Sequence, residues 1–169
     1  MIVVADTGPI NYLILSGHIG LIHELYGSVL LPPAVHRELI HAKTPALVRD
    51  WALNLPRWVD IRSPSDNSRF QDLGPGEREA IVLALDVTAD FVLMDESMGR
   101  RTAVAVGIAV KGCLGVLEDA AAKGLVSLPE AIDRLRATSI FLSDEVIERV
   151  LSRHDERMRE RSEPRPLAP

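Results

Sequence analysis

Two apolar stretches of the chain each end in an acidic residue. The first covers residues 2–5 and is followed by Asp6, and the second covers residues 91–94 and is followed by Asp95 and Glu96. Short, β-branched apolar runs of this kind are typical of buried strands in a parallel sheet. Open α/β sheets bind their ligands at the carboxyl ends of such strands. We therefore expect Asp6 and Asp95 to meet at one edge of a sheet.

Two further acidic residues stand near the predicted boundaries of helices. Glu38 lies one turn into a helix that follows two prolines, and Glu77 opens a helix after a Gly-Pro-Gly segment. Converging carboxylates with few basic partners cannot all stay ionised without compensation. A divalent cation supplies that compensation, and hard oxygen ligands suit Mg²⁺ or Mn²⁺. Four acids are therefore the candidate metal-binding and catalytic residues: Asp6, Glu38, Glu77 and Asp95.

A cation held in this way favours hydrolysis of phosphodiester bonds, because it activates a water molecule and neutralises the charge that develops on the phosphate. Each acid also has an ordinary structural role open to it. Asp6 could cap a helix, Glu77 could interact with a helix dipole, and Glu38 could lie on a solvated face beside His41. Asp95 is the hardest to explain in that way, because its position at the end of an apolar strand places it at the edge of the sheet.

Neighbouring residues offer supporting roles. Thr7 could donate a hydrogen bond to Asp6 or to a metal-bound water, or it could cap the following helix. Glu96 could be an auxiliary acid that acts through water, or a charge in the first turn of a helix. Arg100 and Arg101 could contact nucleic-acid phosphates, for which the planar guanidinium is suited, or they could form a solvated helix face.

The elements that would position these residues alternate between strand and helix. Predicted strands cover residues 2–5, 29–31, 58–61, 91–94 and 108–110. Predicted helices cover residues 10–15, 18–25, 34–41, 45–55, 77–86, 96–106, 114–123, 129–136 and 143–154. This alternation predicts a three-layer α/β/α sandwich with a mainly parallel central sheet. Glu79 points about 200° round its helix from Glu77, so we do not expect it to share the site.

Composition fits one globular domain with a tail. Hydrophobic residues make up 47% of the 169 residues, which is enough to bury a core. We place the domain at residues 1–151 and a flexible, charged, proline-containing tail at residues 152–169. The formal net charge of −5 argues weakly against a broad nucleic-acid-binding surface. A cluster of metal-binding carboxylates would itself make the balance acidic.

Other features of the sequence indicate a cytoplasmic protein. The single cysteine, Cys113, excludes an intrachain disulfide and fits a reducing compartment. The chain begins with a strand and lacks the basic stretch and the longer apolar segment of a signal peptide. No apolar run approaches the roughly 20 residues of a membrane span, so we expect no membrane association.

Several blocks of sequence together resemble a known family. They read VVADTGPI at residues 3–10, LPPAVHREL at 31–39, LGPGEREAI at 73–81 and VLMDE at 92–96, with GCLGVL at 112–117. They are similar to PIN domains, the fold of VapC-type toxin ribonucleases. The last block is similar to one PIN subfamily of bacteria and archaea, in which the position of Cys113 is often threonine. The resemblance covers about residues 1–137.

The resemblance implies a Mg²⁺- or Mn²⁺-dependent ribonuclease. Asp6, Glu38 and Asp95 match ligand positions of the family, whereas Glu77 matches a position that is more often aspartate and has a longer arm. Many PIN domains are toxins encoded beside an antitoxin, and many are homodimers. The implied partners are therefore an RNA substrate, a cognate antitoxin protein and a second copy of the chain.

Two alternatives stand beside a ribonuclease. Phosphatases and phosphotransferases with an aspartyl nucleophile need a second aspartate two residues after the first, and the glycine at position 8 argues against that class. The other alternative is a degenerate PIN module that binds RNA or a protein partner without catalysis. The atypical Glu77 and the acidic net charge favour this non-catalytic interpretation.

Overall fold

The computed structural model describes residues 1–162, with side chains through residue 160. Its sheet has five strands: β1 (Val3–Ala5), β2 (Val29–Leu31), β3 (Val59–Ile61), β4 (Phe91–Leu93) and β5 (Val110–Lys111). All neighbouring strands are parallel, and their order across the sheet is β3-β2-β1-β4-β5. The predicted parallel sheet is confirmed, and every observed strand overlaps its predicted range.

The helices of the described residues fill the intervals between the strands and follow the last one. They are α1 (Thr7–Leu15), α2 (Gly20–Tyr26), α3 (Pro33–Leu39), α4 (Ala46–Leu53), α5 (Pro75–Asp86), α6 (Ser97–Ala105), α7 (Cys113–Ala122), α8 (Leu128–Arg136) and α9 (Asp144–Ser162). Proline stands within the first turn of α3, α5 and α8, where its missing N–H and fixed φ suit the start of a helix. None of the described helices is long and apolar enough to cross a membrane.

The centre of the sheet is buried on both faces, because alternate residues of β1, β2 and β4 enter two different apolar cores. Val3 and Ala5 of β1 join the larger core, which also receives residues from α1, α2, α7, α8 and α9. Val4 of the same strand and Val92 of β4 join a smaller core with α5 and α6. The three-layer α/β/α sandwich predicted from the sequence is therefore confirmed.

The strand order reverses between β1 and β4. Ala5 pairs with Leu93, and the backbone N–H of Asp6 donates to the carbonyl of Leu93 at 2.9 Å. Asp6 directly follows β1, and Asp95 lies two residues beyond the end of the adjacent strand β4. Both acids therefore stand at the same edge of the sheet. The crevice beyond such a reversal point is where open parallel sheets bind ligands.

The last helix extends further than the sequence predicts. α9 runs to Ser162 instead of ending near residue 154, and Arg153 holds it to α7 by bonding both carboxylate oxygens of Glu118. The domain boundary predicted between residues 151 and 152 therefore falls inside a helix. Residues 163–169 of the predicted flexible tail lie outside the described part of the chain.

Candidate active site

The four acids predicted from the sequence line one cleft of about 230 Å³ at the carboxyl edge of the sheet. Asp6 follows β1 and Asp95 lies just after β4, while Glu38 projects from α3 and Glu77 from the first turn of α5. The structure therefore brings together carboxylates that are widely separated along the chain. The cleft is also lined by the side chains of Thr7, Tyr12 and Glu96 and by three glycines, Gly8, Gly74 and Gly76.

Asp6 is the most deeply buried of the four, with 5% of its surface exposed. It occupies the N-cap position of α1, yet its side chain makes no capping hydrogen bond. Burial raises the pKa of Asp6, the N–H of Thr7 opposes this rise, and the nearby carboxylates of Glu77, Glu38 and Asp95 add to it; together these effects bring the pKa from 3.8 to about 7. A carboxyl group in this state gains from any cation that enters the cleft.

Glu38 is held by donors from two other elements. The N–H of Gly76 donates to its Oε1 at 2.9 Å, and the hydroxyl of Thr7 donates to its Oε2. The hydroxyl of Thr7 therefore bonds Glu38 rather than the Asp6 oxygen suggested by the sequence. A Cβ at position 76 would lie 2.6 Å from Oε2 of Glu38, so the close approach of α3 and α5 requires glycine there.

Glu79 locks α3, the helix that carries Glu38, onto α5. Its buried carboxylate accepts a hydrogen bond from the N–H of Ala34 at 2.7 Å and lies 3.5 Å from the guanidinium of Arg37. Its oxygen thereby satisfies a free N–H in the first turn of α3. The prediction that Glu79 lies apart from the acidic cleft is confirmed.

Glu77 combines a structural role with a place in the cleft. Its Oε2 accepts a hydrogen bond from the N–H of Gly74 at 3.1 Å, which is the glutamate half of a capping box at the start of α5. Its Oε1 is buried and has no hydrogen-bond partner among the described residues. A Cβ at position 99 would lie 2.6 Å from this atom, so Gly99 makes room for the longer glutamate arm.

Asp95 is clamped by one residue that the sequence did not single out for the site. The N–H of Cys113 donates to Oδ1 at 3.0 Å, and the Cys113 thiol donates to Oδ2 at 2.9 Å. Burial raises the pKa of Asp95, against the opposing effect of these donors and of Arg100. Burial also raises the pKa of the Cys113 thiol, which therefore keeps the proton that it donates.

Three glycines that support the carboxylates were also missed. Gly76, Gly99 and Gly112 each stand where a Cβ would collide with a different acid: Glu38, Glu77 and Asp95 respectively. Each glycine contacts an acid on another element, so no local pattern in the sequence marks it. For Cys113 a signal did exist, because threonine, which often stands at this position in the resembled subfamily, also carries a donor.

The auxiliary residues take different positions around the cleft. Glu96 is exposed at the N-cap of α6. Arg100 is half-buried, and its guanidinium donates to the carbonyl of Met94 at 2.7 Å. Arg101 is exposed, and both arginines line a cavity of about 640 Å³ that shares Asp95 with the acidic cleft. Phosphate binding by Arg100 and Arg101 stays a prediction.

The acidic cleft shares a lining residue with each of two larger cavities. The cavity of about 640 Å³ adjoins it at Asp95, and another of about 400 Å³ adjoins it at Glu38. Both are open to solvent. An extended ligand that crosses the carboxylates would therefore find space beside Glu38 and beside Asp95.

The donor set of the cleft suits a hard divalent cation. Among residues 1–160, no three histidine, cysteine or acidic side chains are already arranged to hold a metal ion, and Glu38 and Asp95 bond protein donors instead. The unpartnered Oε1 of Glu77 and the crowding of carboxylates around Asp6 nevertheless leave the cleft short of positive charge. Carboxylate oxygens are the ligands that Mg²⁺ and Mn²⁺ prefer, so these residues fit such an ion by donor type.

A family model described as a PIN domain matches residues 2–156, a stretch that contains all five strands and the four acids. Among curated proteins, no relative matches the chain significantly.

Proposed function

Because this chain belongs to the PIN-domain family, whose fold is of the nuclease type, we propose that it is a metal-dependent endoribonuclease. The observation that carries the proposal is the convergence of four carboxylates in one cleft, where burial and, after it, the other three carboxylates raise the pKa of Asp6. The cleft also lies where parallel sheets bind their ligands.

Asp6, Glu38, Glu77 and Asp95 would hold the cation. When bound, Mg²⁺ or Mn²⁺ supplies an activated water and neutralises charge that develops on the phosphate. The protein's own contribution is to hold the carboxylates in place before substrate arrives. Thr7 and Gly76 orient Glu38, Cys113 orients Asp95, and such supporting hydrogen bonds commonly govern how well metal ligands work.

The shape of the site favours cleavage within a strand. An exonuclease needs a wall that stops the end of the strand, whereas this cleft shares Glu38 with one open cavity and Asp95 with another. Cationic side chains on the Asp95 side could neutralise backbone phosphates. Arg101 is exposed there, whereas Lys111 already pairs with Asp119.

We further propose that this protein is the toxin of a toxin–antitoxin pair, acts in the cytoplasm and forms a homodimer. The support is the resemblance of its sequence blocks to VapC-type toxins. A neighbouring reading frame whose product suppresses growth inhibition by this chain would be expected. A purified full-length protein that elutes as a monomer at all concentrations would contradict the homodimer.

The direct test incubates the purified full chain with a circular RNA in the presence of Mg²⁺, Mn²⁺ or EDTA. We expect linear products with either metal and none with EDTA, because a circle can be opened only by internal cleavage. Asp6→Asn and Asp95→Asn should abolish cleavage. Asp60→Asn, a change at an exposed strand residue outside the cleft, is the matched control.

Two results would overturn the proposal. One is an intact circle with both metals, and the other is cleavage that survives Asp6→Asn in protein of unchanged circular dichroism. If the chain binds RNA with an affinity that Asp95→Asn leaves unchanged, and Mn²⁺ neither binds nor promotes cleavage, the protein is a non-catalytic RNA-binding module.

A further inference from the structure

We propose that the cavity beside Glu38, here called the α3 pocket, binds one nucleobase of the RNA strand and so selects the position of the cut. The inference rests on the proposed function, because it assigns a base-binding role next to the proposed catalytic cleft. The pocket has a volume of about 400 Å³ and is lined by six residues: Ala34, Arg37, Glu38, His41, Thr44 and Pro75.

The pocket lies directly against the acidic cleft. Glu38 lines both spaces, and Pro75 stands between Gly74 and Gly76, which line the cleft. The wall between the two spaces is thus one side chain and one short segment of backbone. If a phosphate of the RNA lies against the carboxylates, the strand can stay in the cleft while the base of the adjoining nucleotide enters the pocket.

Two planar groups at the pocket are suited to stack on a base. The side chain of Arg37 is 63% exposed, and its guanidinium lies 3.5 Å from the buried carboxylate of Glu79, which restrains one end of the plane. The ring of His41 accepts a hydrogen bond at Nδ1 from the N–H of Lys43 at 3.2 Å. Proteins recognise unstacked RNA bases by stacking them on histidine rings and arginine planes.

The same residues can also read the edge of a base. Because Nδ1 of His41 is an acceptor, the neutral ring carries its proton on Nε2 and can donate it to a ligand. The hydroxyl of Thr44 donates to the carbonyl of Glu38 at 2.8 Å, which leaves its oxygen available as an acceptor. Ala34 and Pro75 provide apolar surface between these polar groups. This mixture of planar, apolar and polar groups fits a heterocyclic base better than a phosphate alone.

Nucleotide titration tests the pocket without requiring catalysis. The metal-free full chain in EDTA is titrated with each of the four 5′-ribonucleoside monophosphates and with ribose 5-phosphate, which lacks a base. Binding is read from the histidine ring signals in ¹H–¹³C NMR spectra, with the His41 signal assigned by its loss in His41→Phe. We expect the His41 signal to shift with at least one nucleotide and not with ribose 5-phosphate.

Substitutions separate stacking from charge. Arg37→Lys keeps the charge but removes the plane, and we expect nucleotide binding to weaken about fivefold or more, which is the lower end for loss of one stacking contact. His41→Ala should weaken it similarly, whereas His41→Phe should restore part of the affinity because it keeps a ring. Arg62→Lys, at an exposed arginine outside the pocket, is the matched control and should change nothing.

Equal responses to the nucleotides and to ribose 5-phosphate would overturn the inference, as would binding that Arg37→Lys and His41→Ala leave unchanged. These results do not depend on cleavage. If the circular RNA is cut but the nucleotides give no base-dependent shift, the ribonuclease stands and the base pocket fails. If nucleotides bind through Arg37 and His41 but no RNA is cut, base binding in the α3 pocket is supported and the proposed ribonuclease activity is refuted.

Discussion

Cys113 contacts Asp95 through two donors at once: its backbone N–H lies 3.0 Å from Oδ1 and its thiol 2.9 Å from Oδ2. Asp95 lies in the loop after β4, and Cys113 begins α7 two residues after the neighbouring parallel strand β5. Asp95 therefore has both oxygens fixed by the first residue of α7. A thiol that is fully buried and remains protonated acts here as a positioning group rather than as a nucleophile.

Replacing that thiol tests its positioning role. Cys113→Ala should weaken Mn²⁺ binding about tenfold, the usual lower range for loss of a group that supports a metal ligand, and RNA cleavage should fall with it. Cys113→Ser retains a donor and should recover most of the affinity. Isothermal titration with Mn²⁺ measures both variants, and equal affinities for the alanine and serine proteins would contradict the role.

Gly99 tests whether the space around Glu77 matters. A methyl group at this position would collide with Oε1 of Glu77 and with the sulfur of Met94. Gly99→Ala should therefore weaken Mn²⁺ binding about tenfold or more and lower the free energy of unfolding by about 1–3 kcal/mol through overpacking.

Gly20→Ala is the control for Gly99→Ala, because Gly20 is also helical and a Cβ there would meet nothing within 4 Å. Its free energy of unfolding should stay within about 0.5 kcal/mol of that of the unmodified protein. Urea unfolding and Mn²⁺ titration of both variants provide the comparison. Unchanged Mn²⁺ affinity in Gly99→Ala would show that Glu77 needs no such space.

The raised pKa of Asp6 predicts how stability changes with pH. Burial, followed by the neighbouring carboxylates, raises this pKa from 3.8 to about 7 in the folded protein. Between these two values the unfolded chain has already released a proton that the folded protein retains. The free energy of unfolding of the metal-free protein should therefore fall as pH rises through this window.

Asp6→Asn should make the free energy of unfolding fall less steeply as pH rises. Asp95, whose pKa is also raised, should account for part of the pH dependence that the variant retains. Urea unfolding in EDTA across the window measures the slope. Because cations and protons compete for the same carboxylates, Mn²⁺ affinity should increase as pH rises toward about 7 and above. A slope of stability against pH that is identical with and without Asp6 would contradict the assignment.

Arg153 predicts that the second half of α9 contributes to stability. Its guanidinium bonds both oxygens of Glu118, a side chain with only 13% exposure, across the contact between α9 and α7. Arg153→Ala should lower the free energy of unfolding by about 1 kcal/mol, the upper range for an ion pair near the surface. Arg149→Ala, which removes an exposed pair with Glu145 within the same helix, should cost only about 0.3–0.5 kcal/mol. Thermal unfolding would contradict this account if the two variants lost equal stability.

The sequence by itself determined the architecture and the position of two of the four acids, Asp6 and Asp95. The strands appear in the sequence as apolar runs of three or four residues that alternate with helical segments. Such runs are a local signal, because a strand that is buried on both faces of a parallel sheet must be apolar throughout. Asp6 and Asp95 could be placed because each directly follows such a run, so that their position depended on the strand and not on distant packing. The extent of α9 was harder to predict, since an ion pair with Glu118, far earlier in the chain, helps to hold its second half.

Only the tertiary structure decided how the carboxylates are held. That the hydroxyl of Thr7 bonds Glu38 rather than Asp6, and that Cys113 bonds Asp95, depends on how α1, α3 and α7 pack around the sheet. Likewise, Gly76, Gly99 and Gly112 matter only because an acid from another element comes close to each. These contacts join residues far apart in sequence, and side-chain period and local propensity carry no information about such pairs. The sequence therefore determined which acids reach the cleft, and the packing of the helices determined which donors orient them.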